Sequence, residues 1–350
     1  MSRRPGHKNC RVEVPMASPR FSVVVACHNQ RNFIAQTIES ALSQICLDRE
    51  IIVVDDASTD DTASIAKGYG DRIRLISWDV NQGASAARNA GTEVARGAYI
   101  VYLDGDDVLK PWALSVYDQI IQARNPAIIL TGLAWFRGEP PALTPADAPD
   151  RIEIVTYDNL IDRDRAFQSS ASALIVERGT LKAMGGWTKE VWPFDDQYLA
   201  LELAYSGRTV HIVDPQTVFY RTHAANTVGN VPLLISGGYR LAAAWKCSRR
   251  IPRNLRTAAL IGSPETYALR RAFRARLWRD GLRLFVKVWP WIVAAALVRL
   301  RRVFVQSASE TISVQIRSSS TIHLATAAPK ASVEWSKEEE FDEDVSNPAV

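Results

Sequence analysis

Apolar and polar positions alternate in blocks along the first third of the chain. Phe21-Ser-Val-Val-Val-Ala26 is a short β-branched run that predicts a strand. Between Asn32 and Gln44, the residues Phe33, Ile34, Ile38, Ala41 and Leu42 fall at helical spacing. Glu50-Ile-Ile-Val-Val-Asp55 predicts a second strand, and Ser58-Thr59-Asp60 offers N-cap chemistry for a helix over Asp61 to Lys67. Arg72 to Ser77 reads as a third strand, Ala84 to Ala95 as a helix, and Tyr99 to Leu103 as a fourth strand. This alternation implies right-handed βαβ units and a parallel sheet covered on both faces.

From Pro126 to about Thr227 the pattern loosens. Ala127 to Trp135 and Ala173 to Glu177 predict strands, and Pro140 to Pro149 is a Pro/Ala-rich loop. Asp196 to Ser206 reads as a helix, followed by closing strands at Thr209 to Asp214 and Thr217 to Arg221. Beyond Val231 the composition shifts: Lys246 to Arg302 is rich in arginine, with Glu265 and Asp280 as its acids, on a helical pattern. Leu284 to Val298 is almost wholly apolar, broken by Lys287 and Pro290. It spans about 15 residues, whereas a membrane crossing needs roughly 20. One reading is a helix lying at the headgroup level of an anionic membrane, with Trp289 and Trp291 as anchors and Arg299, Arg301 and Arg302 meeting lipid. The other is a buried terminal helix with solvated arginines. The Ser/Thr-rich end, closing on Glu338 to Asp344, reads as disordered. The expected organisation is a flexible segment at 1–19, a catalytic domain at 20–230 divided near 110, a basic helical extension at 231–306, and an acidic tail at 307–350.

Composition narrows the classes. A chain of 350 residues with 47% hydrophobic content can bury a substantial core. Cys10, Cys27, Cys46 and Cys247 have neither zinc spacing nor a paired framework, as expected of reduced cysteines in a cytoplasmic protein. The basic start of the chain lacks an apolar core of the signal-peptide kind, so a cytoplasmic protein, peripheral on the inner membrane face at most, is expected. The Arg-rich segment has no aromatic platform or motif behind it, so no nucleic-acid partner is expected. No GxGxxG follows the first strand, which sets aside a dinucleotide oxidoreductase.

The chemistry concentrates where the fourth strand ends. Tyr99 to Leu103 runs into Asp104, Asp106 and Asp107. Ligands of open α/β sheets bind outside the carboxyl ends of the strands. Acids one and two residues apart there suit a hard divalent cation that also binds phosphate, the pattern of a metal-dependent sugar-nucleotide site.

Four motifs extend this reading. Val23-Val-Val-Ala-Cys-His-Asn29, Val53-Val-Asp-Asp-Ala-Ser-Thr-Asp60, Asn81-Gln-Gly83 with Ala87-Arg-Asn-Ala-Gly91, and Leu103-Asp-Gly-Asp-Asp107 resemble family 2 glycosyltransferases in order and spacing. The resemblance is strong from about Arg20 to Leu109 and looser to about Val228. It implies a GT-A fold, an α/β architecture with a mostly parallel sheet flanked by helices. It also implies inverting transfer of a sugar from a nucleoside diphosphate sugar, UDP-linked by expectation, to a glycan or lipid-linked acceptor. His28 with Asn29, and Asp55 with Asp56, would then hold the base and ribose. His28 stands where the family often has Tyr, and Ala26 where it usually has Pro. Asn81 would lie near the nucleotide and Arg88 would reach phosphate.

The same resemblance makes Asp106 the direct ligand of Mg²⁺ or Mn²⁺. Asp104 would serve ribose or a metal-bound water, and Asp107 would be a second ligand or an N-cap. The family places its base in an acidic pair after a Gly-Gly-aromatic turn. Here Gly185-Gly-Trp187 precedes Trp192-Pro-Phe-Asp-Asp196, making Asp196 the base, with Asp195 orienting the acceptor in place of the usual Glu. Tyr220-Arg-Thr-His223 is similar to the segment that often ends the catalytic domain, and Arg221 or His223 would close over the diphosphate or complete the metal shell. Two other classes remain: a sugar-nucleotide nucleotidyltransferase, disfavoured because Cys27 to Arg31 lacks glycine, and a membrane-associated scaffold, disfavoured by the intact acids.

Overall fold

The computed structural model describes residues 18–163, 170–224 and 226–304, with two further short strands at 310–313 and 325–327. The first half follows the predicted alternation: β1 (Phe21–Cys27), α1 (Ile34–Leu42), β2 (Arg49–Asp55), α2 (Thr62–Lys67), β3 (Arg74–Ser77), α3 (Ala84–Val94) and β4 (Tyr99–Asp104). All seven residues of β1 are buried, which is why the strand reads as an unbroken apolar run: it is covered on both faces. These strands pair in parallel in the order β3-β2-β1-β4.

The second half holds β5 (Val108–Leu109), α4 (Ala113–Arg124), β6 (Ile128–Leu130), β7 (Leu133–Phe136), β8 (Ile152–Tyr157), β9 (Leu174–Glu177), α5 (Arg178–Met184), α6 (Asp195–Glu202), β10 (Thr209–Asp214) and β11 (Val218–Arg221). Here the sheet becomes mixed. β9 runs antiparallel to both β4 and β6, while β10 is parallel to β6 and antiparallel to β8. A mostly parallel sheet therefore describes the first half; among the described residues no α-helix separates β6, β7, β8 and β9, and antiparallel neighbours need no long crossover. The single strand expected over 127–135 is two. The segment leaves the large sheet at Thr131-Gly132 and re-forms as β7 in a small sheet with β11 and β5.

The chain continues through α7 (Val231–Cys247), α8 (Leu255–Arg274) and α9 (Trp278–Phe304). Leu241, Ile261, Leu284, Val288 and Trp291 form a third core that also takes in Val191 and Phe194, so the helical extension packs on the sheet-bearing part. At Gly262 a Cβ would lie 1.9 Å from the Trp291 carbonyl oxygen: the α8 and α9 backbones touch there. Of the two expected membrane anchors, Trp291 is buried in this core and Trp289 is exposed. The helix is also longer than the 284–298 run, since Trp278–Leu300 is long and apolar enough to cross a membrane by length and composition.

Within the tail expected to be disordered, β12 (Glu310–Ser313) pairs antiparallel with β8 and β13 (Ala325–Ala327) pairs with β12. Without β12, β8 would present an open edge, and Thr311 and Ile312 supply β-branched residues suited to covering it. The rest of the tail and residues 1–17 lie outside the described residues.

Glu265 on α8 is fully buried against Gly238 of α7, and neither carboxylate oxygen has a hydrogen-bond partner. Burial pushes its pKa from 4.5 up to about 8. The folded state thus holds a proton that the unfolded chain releases above pH 4.5, so stability is full below that value and falls as pH rises toward 8. The slope is at most about 1.4 kcal/mol per pH unit. Glu265→Gln is expected to flatten this dependence and to be the more stable protein at pH 8, as read from urea midpoints of both proteins at pH 5 and pH 8.

Candidate active site

Strand register sets the donor side. Cys27 pairs with Asp55, and Ala26 with Asp104, so β2, β1 and β4 end level with one another. Their following loops carry His28, Asp56 and Asp106 to one rim. The His28 Nδ1–H donates to the Asp56 carbonyl at 2.7 Å, while Nε2 accepts from the Asn29 amide at 3.1 Å. The Asp56 carboxylate accepts the backbone N–H groups of Gln82 and Gly83 at 2.6 and 2.8 Å. It thereby fixes the turn into α3, where Gly83 adopts φ +91°, a conformation suited to glycine. Asp55 points inward, accepting from the Ser58 and Ser77 hydroxyls.

Asp104 to Asp107 form a tight turn closed by the Asp107 N–H to the Asp104 carbonyl. A Cβ at Gly105 would lie 2.6 Å from Cys27 Cβ, so only glycine lets the turn lie this close to β1. Asp107 is buried, with one oxygen accepting the Arg221 backbone N–H at 3.0 Å and the other the Ser172 hydroxyl at 2.6 Å. Its carboxylate therefore holds the scaffold, in place of the expected role as metal ligand or N-cap. Burial raises the pKa of Asp104 and Asp107, and the neighbouring acids add to this. The turn thus carries a concentrated negative charge that a cation would relieve.

Asp106 meets His223: Oδ2 and Nε2 are 2.8 Å apart. That separation suits two adjacent positions around an octahedral ion with ligand bonds of about 2.1 Å. Among the described residues no cluster of three or more His, Cys, Asp or Glu side chains could hold a metal. A pair of ligands nevertheless fits Mg²⁺ or Mn²⁺, which commonly bind through one or two side chains and complete their shell with substrate phosphates and water. Arg221 is occupied otherwise than expected. Its Nε donates to the Asp106 carbonyl at 2.8 Å, its terminal nitrogens donate to Gly138 and Gln36, and its guanidinium lies 4.7 Å and 4.5 Å from the Phe33 and Phe136 rings. It holds the acidic turn in place, with three of its five N–H donors engaged in these contacts.

The segment from Gly185 to α6 is docked on α3. Asn89 clamps the Trp187 backbone from both directions at 2.8 Å, and Gly185 and Gly186 both adopt positive φ. Ser85 donates to Asp195 Oδ2 at 2.7 Å and Arg88 donates to the same oxygen at 2.9 Å. Arg88 also donates to Asp104 Oδ1 at 2.7 Å, and its guanidinium lies 4.6 Å from the Trp187 ring centre. Buried, and raised in pKa by Asp104 and Asp195 against the opposing effect of burial, it stays charged. Arg88 therefore ties the acidic turn to α6, with two of its five N–H donors engaged there. Asp196, beside the buried Asp195, accepts the Gln197 N–H at 2.7 Å.

These groups surround a cavity of about 850 Å3. His28, Asp56, Asn81 and Asp106 line it, as do Arg88, Asp104, Asp195 and Asp196. Asn29, Asp55, Asp107, Arg221 and His223 are not among the lining residues.

The family model described as "Glycosyl transferase family 2" matches residues 22–175, from β1 through β9. Residues 22–175 are thus similar to glycosyltransferase family 2 domains. Asp195, Asp196 and His223 lie beyond the matched stretch. Among relatives, the succinoglycan biosynthesis protein ExoO of Rhizobium meliloti is 45% identical over 94 residues, 27% of each chain. The putative teichuronic acid biosynthesis glycosyltransferase TuaG of Bacillus subtilis is 34% identical over 163 residues, 43% of this chain and 65% of its own. The chain thus spans less than two thirds of either relative. The likeness in fold extends into the C-terminal half. S. aureus TarS 1-349, solved with UDP-GlcNAc, aligns over 87% of this chain and 98% of its own with a TM-score of 0.51 at 15% identity. Mannosyltransferase PcManGT from Pyrobaculum calidifontis, solved with GDP-Man and Mn²⁺, covers 82% of this chain and 88% of its own with a TM-score of 0.50 at 17% identity. The fold is GT-A.

Sequence reasoning missed Ser85, Asn89 and Ser172, which position the acids, and Pro264 and Tyr267 of α8, which wall the cavity. The first two had a signal: Ser85, Arg88 and Asn89 stand at i, i+3 and i+4 on α3 and so share one polar face.

Proposed function

We propose that the chain transfers a sugar from a nucleoside diphosphate sugar, UDP being the expected nucleotide, to a hydroxyl of a glycan or lipid-linked acceptor, with inversion. The observation that carries this reading is that Asp106 and Asp196 line one cavity, with Arg88 tying the acidic turn to α6. Asp196 takes the proton from the acceptor hydroxyl as its oxygen attacks C1 of the donor. The bond from C1 to the diphosphate oxygen breaks with its electron pair on the diphosphate, and the configuration at C1 inverts. Asp195 holds the start of α6 in place through Ser85 and Arg88. Asp106 and His223 are the residues that would hold Mg²⁺ or Mn²⁺, and the ion when bound offsets the charge gathering on the leaving diphosphate. His28 and Asn81 border the space for the nucleoside.

Support for a nucleotide-sugar donor comes from the GT-A neighbours solved with UDP-GlcNAc and with GDP-Man and Mn²⁺. Support for a cell-surface glycan acceptor comes from the polysaccharide roles in the relatives' names. The test is to incubate the protein with a panel of UDP- and GDP-sugars and lipid-linked acceptors, follow nucleotide release, and determine the anomeric configuration of the product. An inverted product is expected; a retained one contradicts the single displacement.

A further inference from the structure

We propose that the outer face of α9 docks on an anionic lipid bilayer, with the helix lying in the plane of the surface. This surface contains none of the cavity residues, so the inference stands apart from the transfer reading. Trp278, Leu282, Val286, Trp289, Val293 and Leu297 are spaced three or four residues apart, and each is at least 47% exposed. They fall within an arc of roughly 120° on the helix. The opposite face, with Leu284, Val288 and Trp291, is buried in the core shared with α7 and α8. The helix therefore has two apolar faces, one covered by its own chain and one bare.

Charge selects what covers the bare face. Arg279 and Arg283 flank it on one side and Arg299 on the other, all exposed, and α9 carries a single acid, Asp280, which sits 3.7 Å from Arg283. An apolar stripe with a basic rim and an exposed Trp at its centre matches the boundary between acyl chains and anionic headgroups. A second copy of this chain would bring the same basic rim to a two-fold contact, setting like charges against one another. Crossing the bilayer, which the length and composition of Trp278–Leu300 would allow, would strip Leu284, Val288 and Trp291 from α7 and α8 and part the backbone contact at Gly262. In-plane docking keeps that core intact. Apolar residues would enter the headgroup boundary by ~5–10 Å.

The test is flotation of the full chain with vesicles of phosphatidylcholine alone or mixed with phosphatidylglycerol. The protein is expected to float with the mixed vesicles and to remain largely unbound with phosphatidylcholine alone. Val286→Glu with Trp289→Glu is expected to lower the bound fraction about tenfold, and Arg279→Glu with Arg283→Glu to bring it down to the level seen on neutral vesicles. UDP binding and melting temperature measured on the same samples report on the cavity and the fold separately. Failure of the folded wild-type chain to float, unchanged flotation of both double variants, or a dimer in sedimentation velocity that Val286→Glu with Trp289→Glu dissociates would each overturn the proposal.

Discussion

Asp196→Asn is expected to lower sugar transfer by about 10²- to 10⁴-fold while leaving nucleotide binding nearly unchanged. The amide keeps the size and the acceptor oxygen that receives the Gln197 N–H, so the start of α6 should hold. What is lost is the carboxylate proposed as the base, while Asp195 beside it is buried and held by Ser85 and Arg88. The effect should fall on kcat, because proton removal belongs to the transition state and not to donor binding. Transfer within tenfold of wild type would move the base elsewhere in the cavity.

Arg88→Met is expected to cost about 3–5 kcal/mol of stability, the range for removing one partner of a buried charge pair. Asp104 and Asp195 would lose their shared cation, and Asp104 lies beside two other acids that already raise its pKa with burial. Because the methionine fills much of the same volume over the Trp187 ring, the loss reports mainly on charge. Arg88→Lys should recover little of it, since a single ammonium cannot span both carboxylates as the guanidinium fork does. Urea midpoints at neutral pH decide the matter; a loss below about 1 kcal/mol would mean that solvent screens the pair.

How much of this was legible beforehand depended on what each feature rests on. The four parallel strands were readable because strands buried on both faces are written as runs such as Ile51 to Val54, and their C-terminal acids mark the rim. β7 was not separable from β6, because the break at Thr131-Gly132 is made by a change of sheet, which leaves no mark on hydrophobicity. Motif spacing singled out Asp104, Asp106, Asp195 and Asp196, and all four line one cavity. It could not tell that Asp107 and Arg221 turn away from it, because neighbours from the turn before β9, from β11 and from α1 decide where those side chains point. Trp289 and Trp291 had looked alike as anchors. Residues two apart on a helix face different ways, and only the packing of α7 and α8 settles which is covered. The contribution of Pro264 and Tyr267 to the cavity arises from tertiary packing of α8, far along the chain from the motifs.

The central claim is that Asp106, with His223 beside it, anchors the ion that holds a donor diphosphate. The most direct measurement is calorimetric titration of UDP into the wild-type chain and into Asp106→Ala, each with and without Mn²⁺. The account predicts UDP binding that depends on Mn²⁺ in the wild type and is lost in the variant, with both proteins equally folded by circular dichroism. Equal UDP affinity in all four titrations, or no binding by the folded wild type in the presence of Mn²⁺, would contradict it.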